Sequence, residues 1–369
     1  MSFNFIHTAD WQIGKPFGSF PDDVRVLLRE ARLDVVGRIA AVAKAASISH
    51  VLIAGDVFDS ANPPIQVVTQ LLGRLSAHKG VVWHLLPGNH DPAQSGGVWD
   101  VVKMRLPSEG VHLHLTAEPI EIAPHVVLLP APLKAKALAH DPTAYMDGVE
   151  TKPGVLRIGF AHGSVQGFGG MGDAAVPIDP SRDRRAKLDY FALGDWHGRT
   201  KISDRTWYSG APEPDGYKDN DPGSVLMVSL SEAGAVPTVT PVQTARYLWL
   251  RQSVALTSIS DADRIIEALQ ALEHPSERRI ISTTVSGELN LAEMVQLEAV
   301  RERVMALGRH VDWDQSHLRL VAEDGDFEAF GSPTLAAIAR GLKADAVASD
   351  VAGEALRLLT RYARGLGTS

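Results

Sequence analysis

Five short apolar runs in this sequence each stop at an acid, an amide or a histidine. Val81-Val82-Trp83-His84-Leu85-Leu86 breaks off into Pro87-Gly88-Asn89-His90-Asp91. An apolar run that ends in Pro-Gly-Asn reads as a buried strand delivering polar side chains to a loop at its carboxyl end. The run Phe3 to Ala9 ends at Asp10, and His50 to Ala54 runs into Gly55-Asp56. Val155 to Ala161 ends at His162, and Tyr190 to Leu193 runs into Gly194-Asp195-Trp196-His197. Val24 to Ala46 and Ile65 to Ala77 carry apolar residues at helical spacing between the first of these runs. The pattern predicts an α/β fold, and open α/β sheets place their ligand sites at the carboxyl edge. Each piece has a bland reading: Asp10 as a helix N-cap, Asp56 as a turn acid, His162 as a satisfied core histidine, 87–91 as a polar turn. Their recurrence in series favours one shared site.

Carboxylate, amide oxygen and imidazole together suit a pair of divalent ions such as Mn²⁺, Fe²⁺ or Zn²⁺. Asn89 offers a neutral oxygen, His90 a proton donor or ligand, and Asp91 a carboxylate to hold the imidazole. Asp56, within Gly55-Asp56-Val57-Phe58-Asp59, is the best bridging candidate. Two ions roughly 3.5–4 Å apart clamp a phosphate and activate water for in-line attack. Cysteine is absent, which excludes disulfides and thiolate metal sites and fits a cytoplasmic protein without requiring one.

A chain of 369 residues suggests more than one domain. The strand-end acids and histidines stop by about residue 245. From 246 a β-α-β-α-β pattern follows, with strands at 247–256, 279–285 and 318–322 and helices at 262–272 and 291–307. Ser332-Pro333 then opens a helical tail to about Gly365, broken near Asp345. The expected division is 1–245, 246–330 and 331–369. No apolar run approaches the length of a transmembrane helix, and the N-terminus has no signal-peptide pattern. The net charge of −8 argues against a protein that holds DNA by basic surface alone. A nucleic-acid substrate would need bound metal ions or a partner to offset the negative field.

The ordered set Asp10, Gly55-Asp56-Val57-Phe58-Asp59, Gly88-Asn89-His90-Asp91, His162-Gly163 and Gly194-Asp195-Trp196-His197 resembles the calcineurin-like metallophosphoesterases. The opening His7-Thr8-Ala9-Asp10-Trp11 and the later Tyr208-Ser209-Gly210-Ala211-Pro212-Glu213-Pro214 resemble the SbcD branch, the nuclease component of bacterial DNA break-repair complexes. The resemblance implies a four-layer α-β-β-α sandwich carrying a smaller α/β capping domain and a helical C-terminal tail. It implies Asp10 and His197 on one ion, Asn89, His162 and Asp195 on the other, and Asp56 between them. His90 would stabilise the phosphorane or protonate the leaving oxygen, with Asp91 orienting it. DNA would be the substrate, Mn²⁺ the favoured metal, and a second copy and an SbcC-like coiled-coil ATPase the partners.

Two positions depart from the pattern. Gln12 and Asp195 stand where most relatives have histidine, which exchanges two nitrogen ligands for oxygen and favours Mn²⁺ or Mg²⁺ over Zn²⁺. A first site that fills only weakly is the alternative. Trp11 and Trp196 are candidates to stack on a base or to pack the rim, and Arg199 with Lys201 to contact phosphate. Gly167 to Gly172 reads as a substrate loop or a plain connector, and Arg182 to Arg185 as a solvated face. His112, His114, His125 and His140 match no motif and read as structural. Two rival functions stay open: a dimetal phosphoesterase for a nucleotide or other small ester, and a weakly active binding protein.

Overall fold

The computed structural model describes residues 2–107, 109–168, 175–321, 324–328, 332–346 and 349–363. The chain divides into two compact units, Met1–Tyr247 and Leu248–Ser369. The first unit begins β1 (Phe3–Thr8), α1 (Asp22–Ala45), β2 (His50–Ile53), α2 (Ile65–Ala77), β3 (Val82–Leu85), α3 (Val98–Met104) and β4 (Val111–Leu113). It continues with β5 (Ile120–Ala123), β6 (Val126–Ala131), β7 (Leu156–His162), β8 (Ser164–Val165), β9 (Pro177–Ile178), α4 (Arg182–Arg185) and β10 (Tyr190–Gly194). It closes with β11 (Thr200–Lys201), β12 (Thr206–Tyr208), β13 (Ser224–Leu230) and β14 (Thr238–Gln243).

Two six-stranded mixed sheets result, in the orders β14-β13-β1-β2-β3-β4 and β11-β12-β10-β7-β6-β5. Strands β1 to β4 are mutually parallel, as are β6, β7, β10 and β12. Side chains alternate along each strand, so one strand serves two cores. Ile6, Val51, Ile53, Trp83 and Leu85 join the α1–α3 side chains in one core. Phe5, Leu52, Ala54 and Leu86 meet Leu128, Ile158, Phe160 and Tyr190 of the other sheet in a second. A third core lies on the far face of the second sheet, around Leu129, Met146, Phe191 and Tyr208.

The inter-sheet space also holds imidazoles. His7 Nδ1 lies 2.9 Å from the Tyr190 hydroxyl, and its Nε2 lies 3.2 Å from the Leu193 carbonyl oxygen. His50 Nδ1 meets His84 Nε2 at 3.0 Å, and His84 Nδ1 meets His114 Nε2 at 3.0 Å, with the rings stacked. His114, expected to be structural, is a buried member of this chain; His112 stacks on His84 from the edge.

The second unit is built from β15 (Leu248–Leu256), α5 (Ser260–Gln270), β16 (Arg279–Leu289), α6 (Leu291–Met305) and β17 (His310–Leu320). Its three strands are parallel in sequence order and pack α5 and α6 on one face. β17 starts eight residues before the predicted 318, because Asp312, Asp314, Gln315 and Ser316 hide a strand whose buried residues are only Val311 and Leu318. Helix α6 starts at a capping box, with Asn290 and Glu293 exchanging side-chain and backbone hydrogen bonds. Helices α7 (Asp324–Glu328), α8 (Pro333–Asp345) and α9 (Asp350–Ala363) gather around Phe327, Ala336, Ala339 and Leu356. The tail therefore packs on itself and on Leu320 within the second unit, with Ser332 capping α8. No helix among the described residues is long and apolar enough to cross a membrane. Gly169 to Gly172 and Val347 lie outside the described residues.

Burial lowers the His84 pKa well below its ordinary value and lowers His114 from 6.5 to about 4. A histidine kept neutral in the fold binds fewer protons than in the unfolded chain once the pH passes below 6.5. The contribution of His114 to stability should therefore fall between about pH 6.5 and 4, by up to ~3 kcal/mol, while the raised Asp10 works in the opposite direction. Thermal melts of metal-free wild type and His114→Asn across that window should show this contribution as a difference between the two proteins that changes with pH; a difference constant from pH 7 to 4 would contradict it.

Candidate metal centre

The carboxyl ends of β1, β2 and β3 in one sheet face those of β7 and β10 in the other, and the predicted site residues lie at these five ends. Ligand atoms of Asp10, Asp56 and His162 lie within 4.8 Å of one another, and all three residues are buried. His162 Nδ1 donates to the Ala54 carbonyl oxygen at 2.9 Å, so Nε2 is the ring nitrogen turned to the centre. That nitrogen is 3.4 Å from Asp56 Oδ1 and 3.8 Å from Asp195 Oδ1. Asn89 Nδ2 donates to Asp195 Oδ1 at 3.2 Å, which leaves the Asn89 Oδ1 oxygen free. His162 Nε2 and Asn89 Oδ1 are both buried and without a hydrogen-bond partner. Buried polar atoms are ordinarily satisfied, so two orphaned polar atoms beside two carboxylates are compatible with the donor set of a cation.

The backbone is shaped for this. Asp10, Gln12, Asp56 and Asp195 have φ of 55°, 43°, 52° and 108°, a region that residues other than glycine rarely enter. Backbone bonds hold the strained turns: Asp10 N–H to Gly55 O at 3.1 Å and Gln12 N–H to Asp56 O at 2.8 Å. At Gly88 a Cβ would lie 2.1 Å from Asp56 Oδ1, so only glycine lets the 87–91 loop pass. Arg32, buried on α1, donates to the carbonyl oxygens of Asp10, Trp11 and Glu213 at 3.1, 2.8 and 3.0 Å.

The charges are unbalanced. Burial raises the Asp10 pKa from 3.8 to about 6, with the nearby histidines pulling it down and Asp56 and Asp195 pushing it further up. Burial works to lower His162, but Asp56, Asp10 and Asp195 override it and lift the imidazole to about 9. A group of acids that holds a proton so tightly is a group that a divalent ion would neutralise.

Several predicted roles are corrected by the geometry. Asp91 does not hold the His90 ring. Its Oδ1 accepts from Gly88 N–H at 2.6 Å and its Oδ2 from Phe58 N–H at 2.9 Å, so it clamps two loops together. His90 Nδ1 instead lies 3.1 Å from the Asp59 carbonyl oxygen, which turns Nε2 toward Asp56 Oδ2, 4.0 Å away. Trp11 is buried, donates to Thr8 Oγ1 at 2.9 Å and packs edge-on against Trp83, so it offers no face to a base. Trp196 is half-buried and meets Phe168 edge-to-face. Arg199 is paired with Asp221, and Lys201 with Asp204. Arg182 is no solvated residue: it is buried among Asp141, Asp147 and Asp179. Gln12 points its amide nitrogen, not its oxygen, at His197, Nε2 to Nε2 at 3.2 Å.

Three residues of the site carry no motif in the sequence. Lys15 Nζ donates to Gln12 Oε1 at 3.0 Å and to Asp215 Oδ2 at 2.8 Å. Asp215 Oδ2 is also 3.3 Å from His197 Nδ1. Ser164 donates to Asp195. The only hint was place: Lys15 follows the first motif and Asp215 follows Pro212-Glu213-Pro214.

Residues 3–173 match the family described as calcineurin-like phosphoesterase. The chain is 26% identical to the uncharacterized metallophosphoesterase YhaO of Bacillus subtilis over 210 residues, 54% of this chain and 50% of that protein. It is 24% identical to the DNA double-strand break repair protein Mre11 of Methanosarcina acetivorans over 258 residues, 68% of this chain and 40% of that protein. It is 26% identical to an SbcCD nuclease component of Bacillus subtilis over 345 residues, 80% of this chain and 81% of that protein. The chain thus spans half or less of the first two relatives and about four fifths of the third.

Asp91→Ala should cost about 2–4 kcal/mol in urea unfolding, since it orphans two buried N–H groups. A residue that merely oriented His90 would leave stability unchanged. From the strand-end site and the family match together, this chain carries a calcineurin-like metallophosphoesterase domain, similar in sequence to an SbcCD nuclease component and to Mre11.

Proposed function

We propose that this protein is a metal-dependent DNA phosphodiesterase, a nuclease of DNA repair or DNA-end processing. The observation that carries the reading is the pair of buried, unpartnered polar atoms, His162 Nε2 and Asn89 Oδ1, beside Asp56 and Asp195. Asp56, Asn89, His162 and Asp195 would hold one divalent ion, and Asp10, Asp56 and His197 the other. Two such ions supply an activated water and neutralise charge on the phosphate. Mn²⁺ is the proposed metal, because oxygen donors outnumber imidazoles in this set.

The chain's own residues would do the rest. His90 is exposed enough to meet substrate, and its Nδ1 contact with the Asp59 carbonyl oxygen aims Nε2 into the site. When protonated it donates to the oxygen of the leaving strand. Asp56 Oδ1 accepts the His90 N–H at 2.9 Å, so the acid and the bridging carboxylate are fixed to each other. Asp91 holds the loop that carries both Asn89 and His90.

The proposed architecture is a four-layer α-β-β-α sandwich, with the second unit acting as a capping domain over DNA. The names of the Mre11 and SbcCD relatives support DNA as substrate and an SbcC-like partner, which in this reading is a coiled-coil ATPase. A homodimer and a cytoplasmic setting belong to the same reading. The net charge of −8 favours help from ions and a partner in holding DNA.

The test is incubation with Mn²⁺ and end-labelled linear and circular DNA, with His90→Ala alongside. Cleavage by wild type should fall by on the order of 10²–10⁴-fold in the variant. Metal-dependent hydrolysis of bis-p-nitrophenyl phosphate without DNA cleavage would point to a small phosphate ester instead.

A further inference from the structure

The half of the centre beside His197 differs from the half beside His162. Beside His162 the ring Nε2 and the Asn89 oxygen are buried without a hydrogen-bond partner. Beside His197 the inward-facing group of Gln12 is an amide nitrogen, 3.2 Å from His197 Nε2. Its oxygen is turned out to Lys15 Nζ at 3.0 Å.

An amide can be rotated by half a turn with little change of shape, so what decides its orientation is its partners. Lys15 is such a partner. An ammonium has only donors to offer, so it binds the amide oxygen and repels the amide nitrogen. Lys15 is itself held by Asp215 at 2.8 Å, and Asp59 lies 3.9 Å away. Gln12 has little freedom to escape: it is buried, and its backbone N–H is bonded to Asp56 O at 2.8 Å.

His197 is set from the same direction. Asp215 Oδ2 lies 3.3 Å from Nδ1 and calls for a proton there, which leaves the lone pair on Nε2. The Gln12 amide then donates into that lone pair. Lys218 Nζ, 3.1 Å from the same Nδ1, calls for the opposite tautomer. Lys218 is half-exposed and can turn to water, whereas Asp215 is buried, so Asp215 prevails.

We propose that Lys15 makes Gln12 a hydrogen-bond donor rather than a metal ligand, so that the ion position beside His197 fills second and weakly. The proposal rests on the two-ion reading above. An ion entering there must displace the Gln12 amide from the His197 lone pair and gains no ligand from Gln12 in return. Lys15 and Asp215 are positioning residues: each acts on the ion only through another side chain.

Mn²⁺ titration by calorimetry, with free Mn²⁺ counted by electron paramagnetic resonance, tests this on the full chain. Wild type should bind one equivalent at least tenfold more tightly than the second. Lys15→Met should let the amide turn its oxygen inward and tighten the second equivalent severalfold, while Lys15→Arg should keep the wild-type gap. Gln12→Glu, which removes the amide N–H altogether, should also tighten the second equivalent. Two equivalents of equal affinity in wild type, or a gap unchanged in Lys15→Met, would overturn the proposal. Failure of every protein to bind Mn²⁺ would instead remove the metal centre itself, and a separated loss of DNA cleavage with binding intact would touch only the nuclease reading.

Discussion

Mutual repulsion among Asp10, Asp56 and Asp195 is the constraint on which the first unit depends. These carboxylates stand around one buried imidazole, and burial removes the water that would screen them. The upward shift of His162 is the signature of that field, and burial, with a smaller push from Asp56 and Asp195, raises Asp10 beside it. A fold left with such a cluster would relax apart unless the backbone held it. Here it is held by turns in left-handed conformations, by the strand-end bonds between β1 and β2, and by Arg32 gripping the carbonyl oxygens of Asp10 and Trp11. Strain of this kind survives only where the surroundings over-determine it.

The two-sheet arrangement makes the cluster possible. A single parallel sheet would present its strand ends in a row about 5 Å apart, too flat to surround an ion. Facing β1, β2 and β3 with β7 and β10 turns that row into two opposed rows, so donors approach from both sides. Gly194 shows how tight the approach is, since a Cβ there would lie 1.9 Å from the Ala54 carbonyl oxygen. The second sheet supplies His162, Asp195 and His197 only because its carboxyl ends reach the same place.

Much of this was legible in the sequence because strands of four to seven apolar residues announce themselves, and because each ended at a group with ligand chemistry. Asp10, Asp56, Asn89, His162, Asp195 and His197 come together in the structure. What the sequence could not carry was the direction of each polar side chain. Asp91 sits next to His90 in sequence yet bonds to Phe58 and Gly88, because the loop turns its carboxylate away from the ring. Trp11 sits between two site residues yet belongs to the helix-side core, because the chain alternates direction as it leaves β1. Lys15 and Asp215 are 200 positions apart and meet only in the fold. Strand β17 is longer than its apolar pattern suggests because Asp312, Ser316, His317 and Arg319 give it a polar exposed face.

The most direct measurement is anomalous diffraction at the manganese edge from crystals soaked in Mn²⁺. A peak bounded by Asp56, Asn89, His162 and Asp195 is the predicted result, with a second, weaker peak toward Asp10 and His197. Absence of any peak among these strand ends at millimolar Mn²⁺, or a peak bound only at exposed acids elsewhere, would contradict it.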